Sequence, residues 1–196
     1  MAPPLLEDHY TLEDALLVGL MLITLLGHSD RVRMACLAQL VNVIAPIMTE
    51  PGGGAWVQPT YYPFLHVSHY GRGTALQPVL SCEKHDTRDY TDVSDVEAAA
   101  VFDEEHEALA VFAVNRDLNE PVDFTCDLRD FPGYQLAEHI SLAGDDLQAR
   151  NSAVAQAVAP RREQPGRMEG GVYRGVLPKA SWNVLRFVAK EHRHAA

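Results

Sequence analysis

The chain has 196 residues, 47% hydrophobic and 22% charged, which suits one or two globular domains. Acidic residues outnumber basic ones by 27 to 16, and the formal net charge of -11 argues against nucleic acid or an anionic membrane as the main partner. An uncharged sugar polymer is compatible with this charge.

The three cysteines, Cys36, Cys82 and Cys126, are widely spaced and form no CxxC pair, so they indicate neither a zinc cage nor a disulfide framework. Cys36 lies in an apolar run and is expected to be a small core residue. A reducing cytoplasm fits this pattern. We expect neither a signal peptide nor a membrane helix, because the first residues lack a basic segment and the apolar run at 15–26 is too short to span a bilayer.

The first predicted element is a helix over residues 12–26. Thr11 and Asp14 have the spacing of a helix amino-terminal capping signal, and an apolar run follows them. The helix is apolar on nearly every side, so it is expected to need cover on more than one face. We interpret this as a sign that the chain packs against something larger.

Next comes an apolar run within residues 31–40, which predicts a strand buried on both faces, as in parallel α/β sheets. Residues 41–57 form a glycine-rich loop at the carboxyl end of that strand, where parallel α/β folds bind ligands, and Asn42 is expected to support it through side-chain bonds to the backbone. Residues 59–70 predict a helix that Pro63 bends or shortens.

Beyond residue 73 the pattern changes to short alternating segments separated by turn residues. The predicted strands are 75–80, 96–103, 108–115, 122–128, 135–142, 171–177 and 183–188. Such spacing is typical of an antiparallel β-sandwich, in which Trp182 would be a core residue. Residues 143–170 are expected to be a long polar connection, and the tail 189–196 to be disordered.

Several long strings identify a family resemblance. Residues 42–56 read NVIAPIMTEPGGGAW, followed by Gln58 and by YYPF at 61–64; other strings are APPLLEDHYTLEDALLVGLMLITLL, KHDTRDYTDV, FAVNR and LPKASWNVLRF. Over nearly its whole length the chain resembles the α-L-arabinofuranosidases of glycoside hydrolase family 51. It is similar to their carboxy-terminal part, beginning after both catalytic glutamates.

The resemblance implies a fold class of α/β plus all-β. Residues 1–73 would be the last strand and helices of a (β/α)8 barrel, and residues 74–188 an antiparallel, jelly-roll-like β-sandwich, with 189–196 as the tail. The residues point the same way, because a lone strand and its helices cannot close a parallel sheet without further strands.

The resemblance also implies a substrate-binding role for Gln58, since the family's glutamine in this segment hydrogen-bonds arabinose. The alternative is a polar residue at a helix start with no ligand. Trp56 would shape the site wall, or else pack beneath the loop. The sequence departs from the family pattern at Val57, Pro59 and Thr60, where the family has a basic residue, Thr and Ile. Pro59 is therefore expected to affect how Gln58 is aimed.

Catalytic residues are not expected within the chain. A retaining glycosidase needs two carboxyl groups about 5 Å apart, and neither family motif for them is present. Asn119-Glu120-Pro121 matches the letters of the acid/base motif, but it falls between two predicted strands of the sandwich and is interpreted as a chance match. Glu50 lies in the glycine-rich loop and is interpreted as a solvated or structural carboxylate. Both catalytic glutamates are expected upstream of Met1.

A metal site is not expected either. His66 and His69 have a helical spacing that permits joint ligation, but nothing else completes such a site. One core and one surface histidine is the favoured interpretation, and the family resemblance implies no cofactor.

The resemblance therefore implies the carboxy-terminal part of a cytoplasmic, retaining α-L-arabinofuranosidase that acts on arabinan or arabinoxylan oligosaccharides. Alone, the chain is expected to be inactive. Two alternatives stay open: a non-catalytic assembly or carbohydrate-contacting β-sandwich module, and one half of a split enzyme. Expected partners are an arabinofuranosyl oligosaccharide in the full enzyme and either a second copy or a barrel-bearing chain, with no nucleic acid and no membrane.

Overall fold

The structure, a computed structural model, describes residues 7–190. Most of its regular elements are strands. In chain order they are α1 (Leu12–Gly27), β1 (Ile47–Thr49), β2 (Ala55–Val57), α2 (Tyr61–Tyr70), β3 (Thr74–Leu76), β4 (Lys84–His85), β5 (Val93–Ser94), β6 (Val96–Asp103), β7 (Ala108–Asn115), β8 (Val122–Asp127), β9 (Tyr134–Ala143), β10 (Arg161–Arg162), β11 (Arg167–Glu169), β12 (Val172–Leu177) and β13 (Ser181–Ala189). No helix between residues 7 and 190 is both long and apolar enough to cross a membrane.

The strands form a six-stranded sheet in the order β10-β9-β13-β7-β6-β3 and a three-stranded sheet in the order β11-β12-β8, together with two short hairpins. All strand pairs in these sheets are antiparallel. One hydrophobic core lies between the two helices and the large sheet, and a second lies between the two sheets. The prediction of an antiparallel sandwich is confirmed, and strands 96–103 and 108–115 were predicted to the residue.

The helix α1 begins as its sequence predicts. The Thr11 hydroxyl accepts a bond from the Asp14 amide, and the Asp14 carboxylate accepts one from the Thr11 amide at 2.7 Å. The face toward the large sheet is buried; it comprises Leu12, Ala15, Leu16, Gly19, Leu22 and Ile23. On the other side Leu17 and Met21 remain 48% and 63% exposed. Within this chain, α1 is therefore covered on one face only.

Gly19 lets α1 approach the sheet at Trp182. A Cβ atom at Gly19 would lie 2.6 Å from Cε3 of the Trp182 ring, which is fully buried. Gly19→Val is expected to lower the free energy of unfolding by about 1–3 kcal/mol, because the core is overpacked. Urea unfolding measures this. Gly27→Ala is the control, since no heavy atom lies within 4 Å of its Cβ position; equal effects of the two variants would contradict the packing role.

The predicted strand over residues 31–40 does not form in this chain. The segment contains no strand, and Met34 and Leu40 are 83% and 75% exposed. Cys36 is exposed as well, so its expected core position is also corrected. The physical reason is that a buried parallel strand needs neighbours on both edges, and no strand within 7–190 pairs with this segment.

Smaller differences concern the bounds and content of predicted segments. The predicted strand 75–80 is shortened to β3, Thr74–Leu76. The helix α2 begins at Tyr61 rather than Pro59, so Pro63 falls in its first turn, where its missing N–H is not needed. The predicted loop 41–57 contains the β1–β2 hairpin. In the predicted tail, Ala189 is the last residue of β13, while 191–196 lie outside the described residues.

Candidate functional site

The glycine-rich loop is ordered by its own polar groups. Asn42 has a left-handed backbone with φ of 62°. Its side-chain oxygen accepts from the Thr49 amide at 2.7 Å and its amide donates to the Thr49 hydroxyl at 2.9 Å. The expected supporting role of Asn42 is confirmed. Gly52, with φ of 69°, lies in the β1–β2 turn, where a left-handed backbone favours glycine.

Gln58 is buried directly after this hairpin, with 2% of its surface exposed. Its Oε1 accepts a hydrogen bond from the Tyr10 amide at 2.8 Å. Its Nε2 donates to the carbonyls of Asp8 at 3.1 Å and Ala45 at 2.8 Å. Both amide protons are therefore used within the chain, and one acceptor position on Oε1 remains. The predicted contact of Gln58 with a sugar stays a prediction.

The other residues singled out from the sequence lie in different settings. Trp56 is half-buried on β2, opposite Met48 of β1. Glu50 is exposed in the turn of that hairpin. Glu120 is exposed in the turn between β7 and β8, where its amide donates to the Asp117 carboxylate. The structure thus brings Trp56, Gln58 and Glu50 into one loop region and puts Glu120 in the sandwich.

His66 is a core histidine and His69 is exposed, as expected. The Nδ1 atom of His66 accepts a hydrogen bond from the indole Nε1–H of Trp182 at 3.1 Å. Burial, and to a smaller extent the nearby His69, lowers the pKa of His66 from 6.5 to about 4. Within residues 7–190 no group of three or more His, Cys, Asp or Glu side chains is placed to share a metal ion.

The low pKa of His66 makes stability depend on pH. The unfolded chain takes up the His66 proton near pH 6.5 and the folded chain only near pH 4, so stability is complete above 6.5 and falls as the pH drops toward 4. We expect the free energy of unfolding to decrease by about 2 kcal/mol between pH 7.5 and 5.0 from this group. Urea unfolding at both pH values measures it. His66→Gln should flatten this dependence, and His69→Gln should reduce it only slightly, because His69 is the smaller cause of the pKa shift. An unchanged slope in His66→Gln would contradict the assignment.

The polar connection after β9 contributes contacts that the sequence did not predict. The side-chain amide of Asn151 donates to the Val57 carbonyl at 3.0 Å, and Gln156 bonds the Tyr62 hydroxyl. Nearby, the amide of Leu12 donates to the Ala149 carbonyl at 3.0 Å. The connection therefore lies against the hairpin and both helix starts. Its polar composition gave no signal of this arrangement.

Comparison with known proteins decides the family. The family model described as the α-L-arabinofuranosidase C-terminal domain matches residues 1–181. The chain belongs to the α-L-arabinofuranosidase family. It is 52% identical to the intracellular exo-α-(1→5)-L-arabinofuranosidase of Acetivibrio thermocellus over 187 aligned residues. The alignment covers 95% of this chain and 37% of that protein. It is 53% identical over 190 residues to the enzyme of the same description from Halalkalibacterium halodurans, covering 97% of this chain and 38% of that one.

Solved structures agree with this family assignment. The family 51 α-L-arabinofuranosidase of Bifidobacterium longum is 41% identical and superposes with a TM-score of 0.88 over 95% of this chain and 36% of that one. This family member thus spans well under half the length of the curated relatives it matches, and the match is to the C-terminal domain.

Proposed function

We propose that this chain is the carboxy-terminal part of a retaining α-L-arabinofuranosidase. The whole enzyme would remove terminal non-reducing α-L-arabinofuranosyl residues from arabinan or arabinoxylan oligosaccharides in L-arabinose metabolism. The observation that carries this is the identity above 50% to exo-arabinofuranosidases over nearly the entire chain. The glycine-rich hairpin that bears Trp56 and Gln58 is the part of the chain that would meet the sugar.

We further propose that residues 1–73 are the last strand and helices of a (β/α)8 barrel, and 74–188 the accessory sandwich. Support comes from the apolar surfaces that residues 12–44 leave open. Leu17, Met21, Met34 and Leu40 are all about half exposed or more. Segment 31–40 would become a central strand when barrel strands lie on both of its edges.

In this proposal the two catalytic carboxylates come from outside the sequence, and Glu50 is not one of them. Gln58 would order the hairpin through its backbone bonds and accept a sugar hydroxyl at the free position of Oε1. Access to Oε1 requires the segment around Asp8 and Tyr10 to move aside, since the side chain is 2% exposed. Trp56 would provide an aromatic wall.

The partner in this account is an arabinofuranosyl oligosaccharide, and the barrel-bearing part of the enzyme covers α1 and residues 31–40. Relatives named as intracellular support a cytoplasmic location. A second copy of the chain is the alternative cover for the same apolar surface.

Two measurements test the proposal. The purified chain is expected not to hydrolyse 4-nitrophenyl α-L-arabinofuranoside; turnover that is lost in Glu50→Gln would contradict the assignment of the carboxylates. Amide hydrogen exchange tests the barrel assignment. The amide protons of residues 31–40 should exchange fast in this chain alone. They should become protected in a chimera in which this chain replaces the matching region of the Acetivibrio thermocellus enzyme. Fast exchange in a folded chimera would contradict the strand assignment.

A further inference from the structure

A cleft of about 470 Å³ lies between Trp56 and the connection that follows β9. One side is β2, Ala55–Val57, and the other is residues 151–156, called the cleft loop below. At its tip Val154 is 95% exposed. The cleft is as large as small-molecule sites commonly are, and it opens beside the indole that the proposed function places against sugar.

The chemistry of the lining fits an uncharged, hydroxyl-rich ligand. No lining residue is ionisable, although 22% of the chain is charged. The polar side chains of the lining are Asn151, Ser152 and Gln156. The amides of Asn151 and Gln156 form hydrogen bonds within the chain, and the Ser152 hydroxyl can donate its proton to a ligand. Three other clefts formed by the described residues each carry several charged side chains. This composition favours a saccharide over an ion.

The cleft loop is held in place rather than loosely attached. Asn151 Nδ2 donates to the carbonyls of Val57 at 3.0 Å and Val158 at 2.8 Å, and its Oδ1 accepts from the Val158 amide at 2.8 Å. Within the loop the Ser152 amide donates to the Ala155 carbonyl at 2.8 Å. Gln156 bonds the hydroxyl of Tyr62 on α2. Because the loop is already ordered, binding a ligand costs little of the conformational entropy that ordering a mobile loop would cost.

We propose that the cleft loop is the second wall of the sugar site and that it limits which arabinofuranosyl oligosaccharides bind. The inference rests on the proposed function, which places sugar against Trp56. It adds a contribution from the β-sandwich: Ser152 and Val154 touch the chain of sugars on the side opposite the indole. A specificity-determining surface is thereby assigned to the connection rather than to the barrel.

The test is an NMR titration of the full ¹⁵N-labelled chain with α-(1→5)-linked arabinotriose. The indole signal of Trp56 and the amides of residues 152–155 are expected to shift together. The indole of Trp182, fully buried and bonded to His66, should not move. Cellotriose is the control sugar. If arabinotriose shifts neither the Trp56 indole nor the loop amides, the inference is overturned.

A matched pair of variants separates the loop from the rest of the site. Val154→Asp is expected to weaken arabinotriose binding about tenfold, in the range of a changed wall contact. Val79→Asp changes a fully exposed valine in the segment between β3 and β4 and should leave the affinity unchanged. Shifts at Trp56 with equal affinities for the two variants would overturn the role of the loop and leave the proposed function standing. The proposed function is judged separately by hydrolysis in the chimera.

Discussion

Gln58→Leu is expected to lower the free energy of unfolding by about 3–5 kcal/mol, since each buried group left without a partner costs about 1–3 kcal/mol. The substitution keeps the approximate size of the side chain but removes three hydrogen bonds, to Tyr10, Asp8 and Ala45. Those bonds join residues 8–10, the glycine-rich loop and the start of α2. We therefore expect the amides of 8–10 and 45–58 to lose protection from hydrogen exchange before the β-sandwich does.

Gln39→Leu is the matched control for this variant. Gln39 is exposed, and its single side-chain bond, to the Val41 carbonyl, is long at 3.4 Å. In urea unfolding, the free energy of unfolding should be lower in Gln58→Leu than in Gln39→Leu by most of the roughly 3–5 kcal/mol expected above, about 1–3 kcal/mol for each unpaired buried group. Equal stabilities of the two variants would contradict the claim that the buried amide of Gln58 stabilises the loop.

Trp182→Ala is expected to lower the free energy of unfolding by about 3–5 kcal/mol, the usual range for removing a buried aromatic side chain. The ring is fully buried, stacks on Phe112 with centroids 5.7 Å apart and supports Gly19 of α1. Its loss also leaves His66 without its indole donor. The two helices should therefore detach from the large sheet at a lower urea concentration than in the unmodified chain.

Trp56→Ala is the matched control, because the chain contains only two tryptophans. Trp56 is half-buried on a short hairpin, and its removal should cost about 1 kcal/mol. In the NMR titration, however, Trp56→Ala should abolish the shifts that arabinotriose causes in the amides of residues 152–155. A large loss of stability in Trp56→Ala, similar to that of Trp182→Ala, would show that Trp56 is a core residue rather than a site wall.

Much of the sandwich was predictable because its strands follow local rules. The strands β6 and β7 alternate or run apolar between clear turn residues, and their ends agree with the prediction to the residue. The start of α1 was predictable for the same reason, since Thr11 and Asp14 cap it through short-range bonds. The very short strands, such as β10 and β11, were missed because two or three residues carry no periodic pattern.

Segment 31–40 forms no strand in this chain for a different reason. Its composition favours a buried strand, but a strand also needs hydrogen-bonding neighbours, and composition cannot show whether the same chain supplies them. The packing of α1 and α2 on the large sheet was missed as well, because it depends on long-range contacts such as Gly19 with Trp182. Sequence patterns indicate which secondary structure a segment prefers. Whether a strand finds hydrogen-bonding partners depends on the rest of the folded protein.

The candidate site was only partly visible in the sequence. The family resemblance led to Trp56 and Gln58, and the supporting bonds of Asn42 followed from its residue type. The burial of Gln58 against residues 8–10 and the approach of Asn151 to Val57 could not be read from sequence, since they join segments 48 and 94 residues apart. The bond from Asn151 to Val57 holds the cleft loop against β2.

The central claim is tested most directly by the chimera in which this chain replaces the matching 187 residues of the Acetivibrio thermocellus enzyme. We predict hydrolysis of 4-nitrophenyl α-L-arabinofuranoside at a rate within about tenfold of the unmodified enzyme, a barrier change of about 1.4 kcal/mol or less. The same enzyme without its carboxy-terminal region is the inactive control. A chimera that folds cooperatively but hydrolyses no faster than that control would contradict the proposal that this chain completes an arabinofuranosidase.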